Sequence, residues 1–318
     1  LWLSAYAALG MGDAARALDE TGRAVDLARQ LGGHDEIALT LSTRAFVLGM
    51  FAGDAVAAEA CYLEAIEHFE RSSTVNGYLI LTHAGRAMVA GLAGDHERAA
   101  ESARTAIRLA EAQGELCHRS YGLYGLALAD WSMGNWSEAA DRALDSLRLK
   151  HRFNDVHGLA HTLELLAWIA SSAGDAGRAA RLLGVASRVW SWTGSKPLLG
   201  SETWLQPHQA CESAARADLG ERAFQAAWDE GVAHSTTLSH AITYVLGEQQ
   251  APATSPVLTT RESQVAELVT EGATNKAIAA RLMITPRTVS AHMENILGKL
   301  GLSSRSQIAM WVTQRKTV

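Results

Sequence analysis

Small apolar residues return through the first two-thirds of the chain at a fixed interval, separated by stretches in which charged positions flank a helical hydrophobic stripe. The interval is marked by Gly12-Asp13, Gly53-Asp54, Gly94-Asp95, Gly134-Asn135 and Gly174-Asp175, in steps of 41, 41, 40 and 40 residues. Five residues after each glycine stands an alanine (Ala17, Ala58, Ala99, Ala139, Ala179), and twelve after it another small residue (Ala24, Ala65, Ala106, Ser146, Ala186). Four before it stand Ala8, Gly49, Ala90 and Ala170, with Asp130 as the exception. This register predicts paired antiparallel helices: the glycine ends one helix in a left-handed turn, and the Asp or Asn caps the next with its side-chain oxygen. Alanines at helical spacing let neighbouring helices approach closely, so that pair stacks on pair. The pattern loosens after the fifth unit, and Leu219 to Trp228 reads as part of a last, irregular pair. Residues 1–246 are therefore expected to form an all-α helical-repeat solenoid.

Residues 247–256 hold two of the five prolines and no large apolar side chain, and read as a linker. A different pattern occupies 257–318. Thr259-Thr260-Arg261-Glu262 has the form of a capping box, opening a helix with Val265, Leu268 and Val269 inward and a stop at Gly272. Thr274 caps a short second helix that buries Ile278, Ala279 and Leu282. Thr285 caps a third, with Pro286 at its first position, where a missing N–H costs nothing. On that helix, over 285–300, Val289, Met293, Ile296, Leu297 and Leu300 make one apolar stripe. The opposite face carries Arg287, Ala291, Glu294 and Gly298, flanked by Ser290 and Asn295. A small, polar face suits entry into a groove. The second and third helices, joined by Met283-Ile284, make a helix-turn-helix, and a fourth, about 304–314, adds Ile308, Trp311 and Val312.

Charge sharpens this division. Eight basic and four acidic residues lie from Val257 onward, a balance of +4, while the rest of the chain carries −10 within a total of −6. A basic tail on an acidic body points to nucleic acid at one end, and to mutual masking of body and tail. With 48% hydrophobic residues the chain can bury a large core, and it has no apolar run long enough for a membrane span. Cys61, Cys117 and Cys211 lie far apart with no C-x-x-C, which predicts free thiols in a reducing, cytoplasmic setting. The sequence opens at Leu1 inside a helical pattern, with no basic-then-apolar leader, and further chain is expected before it.

Other chemistry finds less support. His157 and His161, four apart on one helix, have the spacing of two metal ligands, but no Glu adjoins and no third ligand is evident, so repeat packing is preferred and no metal is assigned. Trp190, Trp192 and Trp204 either line a pocket or close the core of the last repeats, the latter being preferred. Gly194-Ser195-Lys196 lacks the glycine of a phosphate loop, since Val189 stands there. No arrangement of nucleophile, base and acid suggests catalysis, and an enzyme is not expected.

The residues of the tail resemble a known pattern. Leu258-Thr259-x-Arg261-Glu262, Gly272-x-x-Asn275-Lys276-x-Ile278-Ala279, Leu282, Ile284-Thr285-x-x-Thr288-Val289-x-x-His292, Asn295-Ile296-x-x-Lys299-Leu300-Gly301 and Arg305 are together similar to the LuxR-type helix-turn-helix. The repeats resemble tetratricopeptide-type helix pairs, with a period longer than the usual ~34 residues. Arg178 to Gly184 and Gly220 to Gly231 resemble LuxR-family regulators built on a STAND-type ATPase. The resemblance implies double-stranded DNA as partner, a homodimer on that DNA, and an effector or protein on the repeats of a bacterial cytoplasmic regulator. It implies no cofactor in this chain, with ATP bound by a module upstream. By position it gives phosphate contacts to Asn275 and Lys276, and backbone or base contacts to Arg287 and Thr288. Base reading falls to Ser290, Ala291 and Glu294, a backbone-side contact to Lys299, and pairing to Ile308, Trp311 and Val312, with Thr285 and Asn295 also placed on the DNA-binding side. Related regulators often place Lys or Arg at base-reading positions. Ser, Ala and Glu there imply modest affinity and reliance on a dimer, and leave open an interaction scaffold whose DNA-binding domain has degenerated.

Overall fold

The structure, a computed structural model, describes residues 2–72, 77–247, 260–282, 284–285, 289–290, 292–293, 296–297 and 305–316. Among them there are sixteen α-helices, one short 3-10 turn and no strand. The chain divides into two compact units, Leu1–Glu248 and Gln249–Val318. Of the predicted linker, 247–256, all but Gly247 lies outside the described residues.

The first unit is a stack of antiparallel helix pairs: α1 (Trp2–Gly10) with α2 (Ala14–Leu31), α3 (His34–Phe51) with α4 (Ala55–Arg71), and α5 (Gly77–Leu92) with α6 (His96–Gln113). Two more follow, α7 (Leu116–Ser132) with α8 (Trp136–Arg152) and α9 (Val156–Ser172) with α10 (Ala176–Thr193). The turn chemistry behaves as the sequence implies. Gly94 and Gly174 take φ of 87° and 81°, which a side chain would resist. The next N–H then reaches back five residues, as from Asp95 to the Ala90 carbonyl and from Asp175 to the Ala170 carbonyl, both at 2.9 Å. Asp13, Asp54, Asp95 and Asp175 each accept a hydrogen bond from the backbone N–H three residues on, at 2.9–3.1 Å. Asn135 holds the same position without a side-chain bond to the start of the helix that it precedes.

All five alanines that follow the glycines by five residues are fully buried. Asp130, the polar exception in the small-residue column, is buried too and pairs with Arg142 of α8 at 2.9 Å. Cys211 is buried, Cys61 and Cys117 are half-buried, and all three are free thiols.

The last repeat is covered by α11 (Glu202–Leu219), α12 (Glu221–Ala233) and α13 (Leu238–Val245). The contact of α10 with α12 is unusually close. A Cβ built on Gly184 would lie 2.3 Å from the Trp228 carbonyl oxygen, and one on Gly231 would lie 2.1 Å from that of Arg181. Before α11 the chain runs through the 3-10 turn Pro197–Gly200, where Leu198 and Leu199 hold left-handed φ of 51° and 54°. This strap reaches back to the start of the stack: the Ser201 hydroxyl donates to the Met50 carbonyl, and the Lys196 side chain lies against Gly12. The two ends of the repeat array therefore meet.

In the second unit α14 (Thr260–Thr270), α15 (Asn275–Leu282) and α16 (Arg305–Lys316) surround one core of Val265, Ala266, Val269, Ile278, Ala279, Val289, Met293, Ile296, Ile308 and Val312. No helix among the described residues is long and apolar enough to cross a membrane.

Candidate nucleic-acid interface

The unit is built outward from local signals. Gly272, at φ 79°, ends α14, and the Thr274 hydroxyl accepts from the Ala277 N–H at 3.3 Å, starting α15 one turn later. The Ile284 N–H bonds to the Ala279 carbonyl at 3.0 Å, closing that helix. The Thr285 carbonyl then accepts from the Val289 N–H at 3.1 Å, so Thr285 sits at the mouth of the next helical segment. Val289, Ser290, His292, Met293, Ile296 and Leu297 are helical there, with Val289, Met293 and Ile296 buried and His292 half-buried beside them. Arg287, Thr288, Ala291, Glu294, Asn295 and Lys299 lie outside the described residues, as do Thr259, Pro286, Gly298 and Leu300.

Asn275 and Lys276 are adjacent but face different surroundings. The Asn275 side-chain amide donates to the Ser290 hydroxyl at 3.3 Å, and its carbonyl accepts from Arg305 Nη1 at 2.9 Å. Arg305 also donates from Nη2 to the Ala273 carbonyl. One asparagine thus ties the start of α15 to the segment after Thr285 and to the start of α16. This spends the Asn275 side chain inside the unit, whereas Lys276 is exposed and points its charge outward. Arg281, exposed at the end of α15, pairs with Glu271 at 2.5 Å.

Of the three residues expected at a pairing surface, Ile308 and Val312 lie in the unit's own core, where α16 packs on α14. Their burial is explained within one chain, and Trp311, half-buried, is the one that keeps outward surface.

Arg305 belongs to the family-like pattern in the sequence, yet its role as a clamp was not among the expectations. Its partners lie 30 and 32 residues away, beyond any local spacing rule. In the first unit, Trp190 and Trp204 are buried and Trp192 lies at the surface. Among the described residues no group of three or more His, Cys, Asp or Glu is placed to hold a metal ion.

A capped short helix, a tight turn and a second amphipathic helical segment locked to it define a helix-turn-helix unit. Residues 256–312 match the family of bacterial regulatory proteins described as the luxR family. Residues of the chain are 46% identical over 52 positions to the spore germination protein GerE of Bacillus subtilis, covering 16% of this chain and 70% of GerE. Over 59 residues the chain is 44% identical to the nitrate/nitrite response regulator protein NarL of Escherichia coli, covering 19% of this chain and 27% of NarL. A longer match, 35% identical over 195 residues and 60% of this chain, is to an HTH-type transcriptional regulator of Mycobacterium bovis. The chain spans 22% of that relative's length. The chain belongs to the luxR family of bacterial regulatory proteins.

Proposed function

We propose that this chain acts in a DNA-binding transcription regulator of the bacterial cytoplasm. Its third C-terminal helix, residues 285–300, enters the major groove, and the helical repeats serve as a sensor or protein-interaction module. The observation that carries the reading is the Asn275 clamp. Its amide's bond to Ser290 ties the scaffold helix to the reading helix, and the bond it accepts from Arg305 ties both to α16, a fixed arrangement that groove entry requires. Lys276 and Arg287 meet phosphates, Ala291 and Glu294 face base edges beside Ser290, whose hydroxyl is held by Asn275, and Lys299 lies on the backbone side. Glu294 favours a cytosine amino group and repels phosphate, so affinity rests on pairing of two copies along the outward flank of α16 around Trp311. Catalysis has no part in this reading, and ATP, if used, belongs to a module outside this chain.

Fluorescence anisotropy on duplex DNA across a salt series tests the proposal. Affinity should fall steeply with salt, and Lys276→Ala and Arg287→Ala should each weaken it and lower the salt slope by about 1. Absence of binding at low salt, by the full chain and by residues 257–318 alone, would leave the repeats as the working part and make the molecule a protein scaffold.

A further inference from the structure

The inner side of the repeat array holds a cavity of about 340 Å³, within the range of small-molecule sites. Its wall is drawn from α1, α3, α5, α7, α8, α9 and, through Trp204, α11, and the strap with left-handed Leu198 and Leu199 borders it through Ser195 and Leu199. Most of the lining is apolar, with Leu9, Phe46, Met88 and Leu199 contributing.

The polar groups in that wall are unusual. Lys150 is 1% exposed, and its register, sixteen residues after a repeat glycine, holds the buried Ala28, Phe69, Ala110 and Trp190 in the other four repeats. Its ammonium stands 3.2 Å from the centre of the Tyr121 ring and 3.6 Å from Asp155 Oδ2, too far for a hydrogen bond. Asp155 is already engaged, accepting from the Tyr121 hydroxyl at 2.7 Å and the Gly158 N–H at 2.9 Å. Lys150 Nζ, Tyr124 Oη and Trp204 Nε1 are buried with no hydrogen-bond partner among the described residues. His161 supplies the counterpart. Its Nδ1 donates to the His157 carbonyl at 2.9 Å, which leaves Nε2, also buried and unpartnered, as an acceptor. Burial holds this imidazole neutral, with its pKa lowered to about 4, and lowers the Lys150 ammonium to about 8.

Orphaned buried donors are costly, and three on one cavity wall, against one acceptor, favour a ligand that accepts more than it donates. We propose that this cavity binds a small monocarboxylic acid with an aryl or medium-chain apolar body, its carboxylate received by Lys150, Tyr124 and Trp204. The apolar body lies against Phe46, Met88 and Leu199, and an anion beside Lys150 supplies the full-strength partner that Asp155, shared among three groups, does not. The site rests on the reading of the repeats as the sensing part.

The test is calorimetry and thermal melting of the full chain with benzoate, phenylacetate, indole-3-acetate and octanoate, each beside its neutral amide. At least one acid should bind one to one, raise the melting temperature and exceed its amide in affinity at least tenfold. Tyr124→Phe deletes only an orphaned hydroxyl, so it should keep or raise the melting temperature of the free protein while weakening the acid tenfold or more. Lys150→Met should weaken it further; if that variant does not fold, Tyr124→Phe decides alone. Failure of all four acids to bind, equal binding of acid and amide, or unchanged affinity in Tyr124→Phe would overturn the proposal. Binding is read without DNA, so its failure leaves the DNA-binding reading to its own salt series.

Discussion

Lys276 and Arg305 both carry a positive charge on the same small unit, but they act through different physics. Lys276 is exposed and acts by its charge alone, so Lys276→Ala should leave the melting temperature within about 2 °C of the parent while reducing DNA affinity. Arg305 is half-buried and donates to both Asn275 and Ala273. Removing it strands two acceptors, and Arg305→Ala should cost about 2 kcal/mol, lower the melting temperature of this unit and weaken binding to every DNA sequence alike. A variant that kept full stability but lost affinity would make Arg305 a phosphate contact and remove the clamp. The contact proposed for Lys276 comes from the family resemblance, and the exposure of its side chain agrees with it. The clamp of Arg305 was not legible, because a hydrogen bond spanning 30 residues leaves no local pattern.

Histidines give a further test at this scale. Burial lowers His83 and His161 from 6.5 to about 4. The unfolded chain takes up protons on both from about pH 6.5 downward, while the fold resists them until about pH 4. Stability is therefore lost as pH falls through that window, on the order of 2 kcal/mol once partial exposure is allowed for. His208 works against this: its bond to Glu164 at 2.8 Å raises its pKa, a contribution full below about pH 6.5 and lost as pH rises through the raised value. Melting curves from pH 7 to 4.5 should fall overall, and His83→Gln should flatten the fall.

At the scale of the element, the repeat was legible because its signals are short-range. A glycine that must turn left-handed and an aspartate that must cap the next helix sit side by side, and Asp95 and Asp175 do what their positions require. Asp130 was the one misfit in its column, and only the fold supplies its reason, the Arg142 pair across α7 and α8. The crossing of α10 and α12 was half legible. Both segments bear the family resemblance, but nothing in either shows that Gly184 and Gly231 are glycines because backbone meets backbone there. Gly184→Ala and Gly231→Ala should each destabilise the first unit by about 1–3 kcal/mol, the overpacking cost exceeding the usual helical gain of alanine. Gly177, in the same helix α10, makes the control: a Cβ there meets nothing nearer than 3.6 Å, and Gly177→Ala should stabilise by up to about 1 kcal/mol. Denaturant midpoints that ranked the three alike would show that the close crossing sets no limit on the side chain.

At the scale of the molecule, the two-part division was written in periodicity and charge, whereas the return of the strap onto the first repeats was not. Ser201 and Met50 are 151 residues apart, and no spacing rule links them. The same is true of the cavity, whose wall needs seven helices and the strap before Lys150, Tyr124, His161 and Trp204 share it. In the sequence Lys150 is a lysine in a repeat register otherwise filled by apolar residues, which marks an anomaly without showing what it faces. The charge division carries the last prediction. A body of −10 repels DNA phosphates and attracts a tail of +4, and both effects oppose binding by the tail. Both are screened over about 10 Å at 0.1 M salt and about 3 Å at 1 M. Residues 257–318, which hold a core of their own, should therefore bind duplex DNA more tightly than the full chain at 50 mM salt. The gap should narrow as salt rises and vanish where the Debye length falls below the width of a helix. Equal affinities at low salt would show that the acidic repeats exert no electrostatic restraint, and any control they impose would then have to pass through the occupancy of their cavity or through a partner.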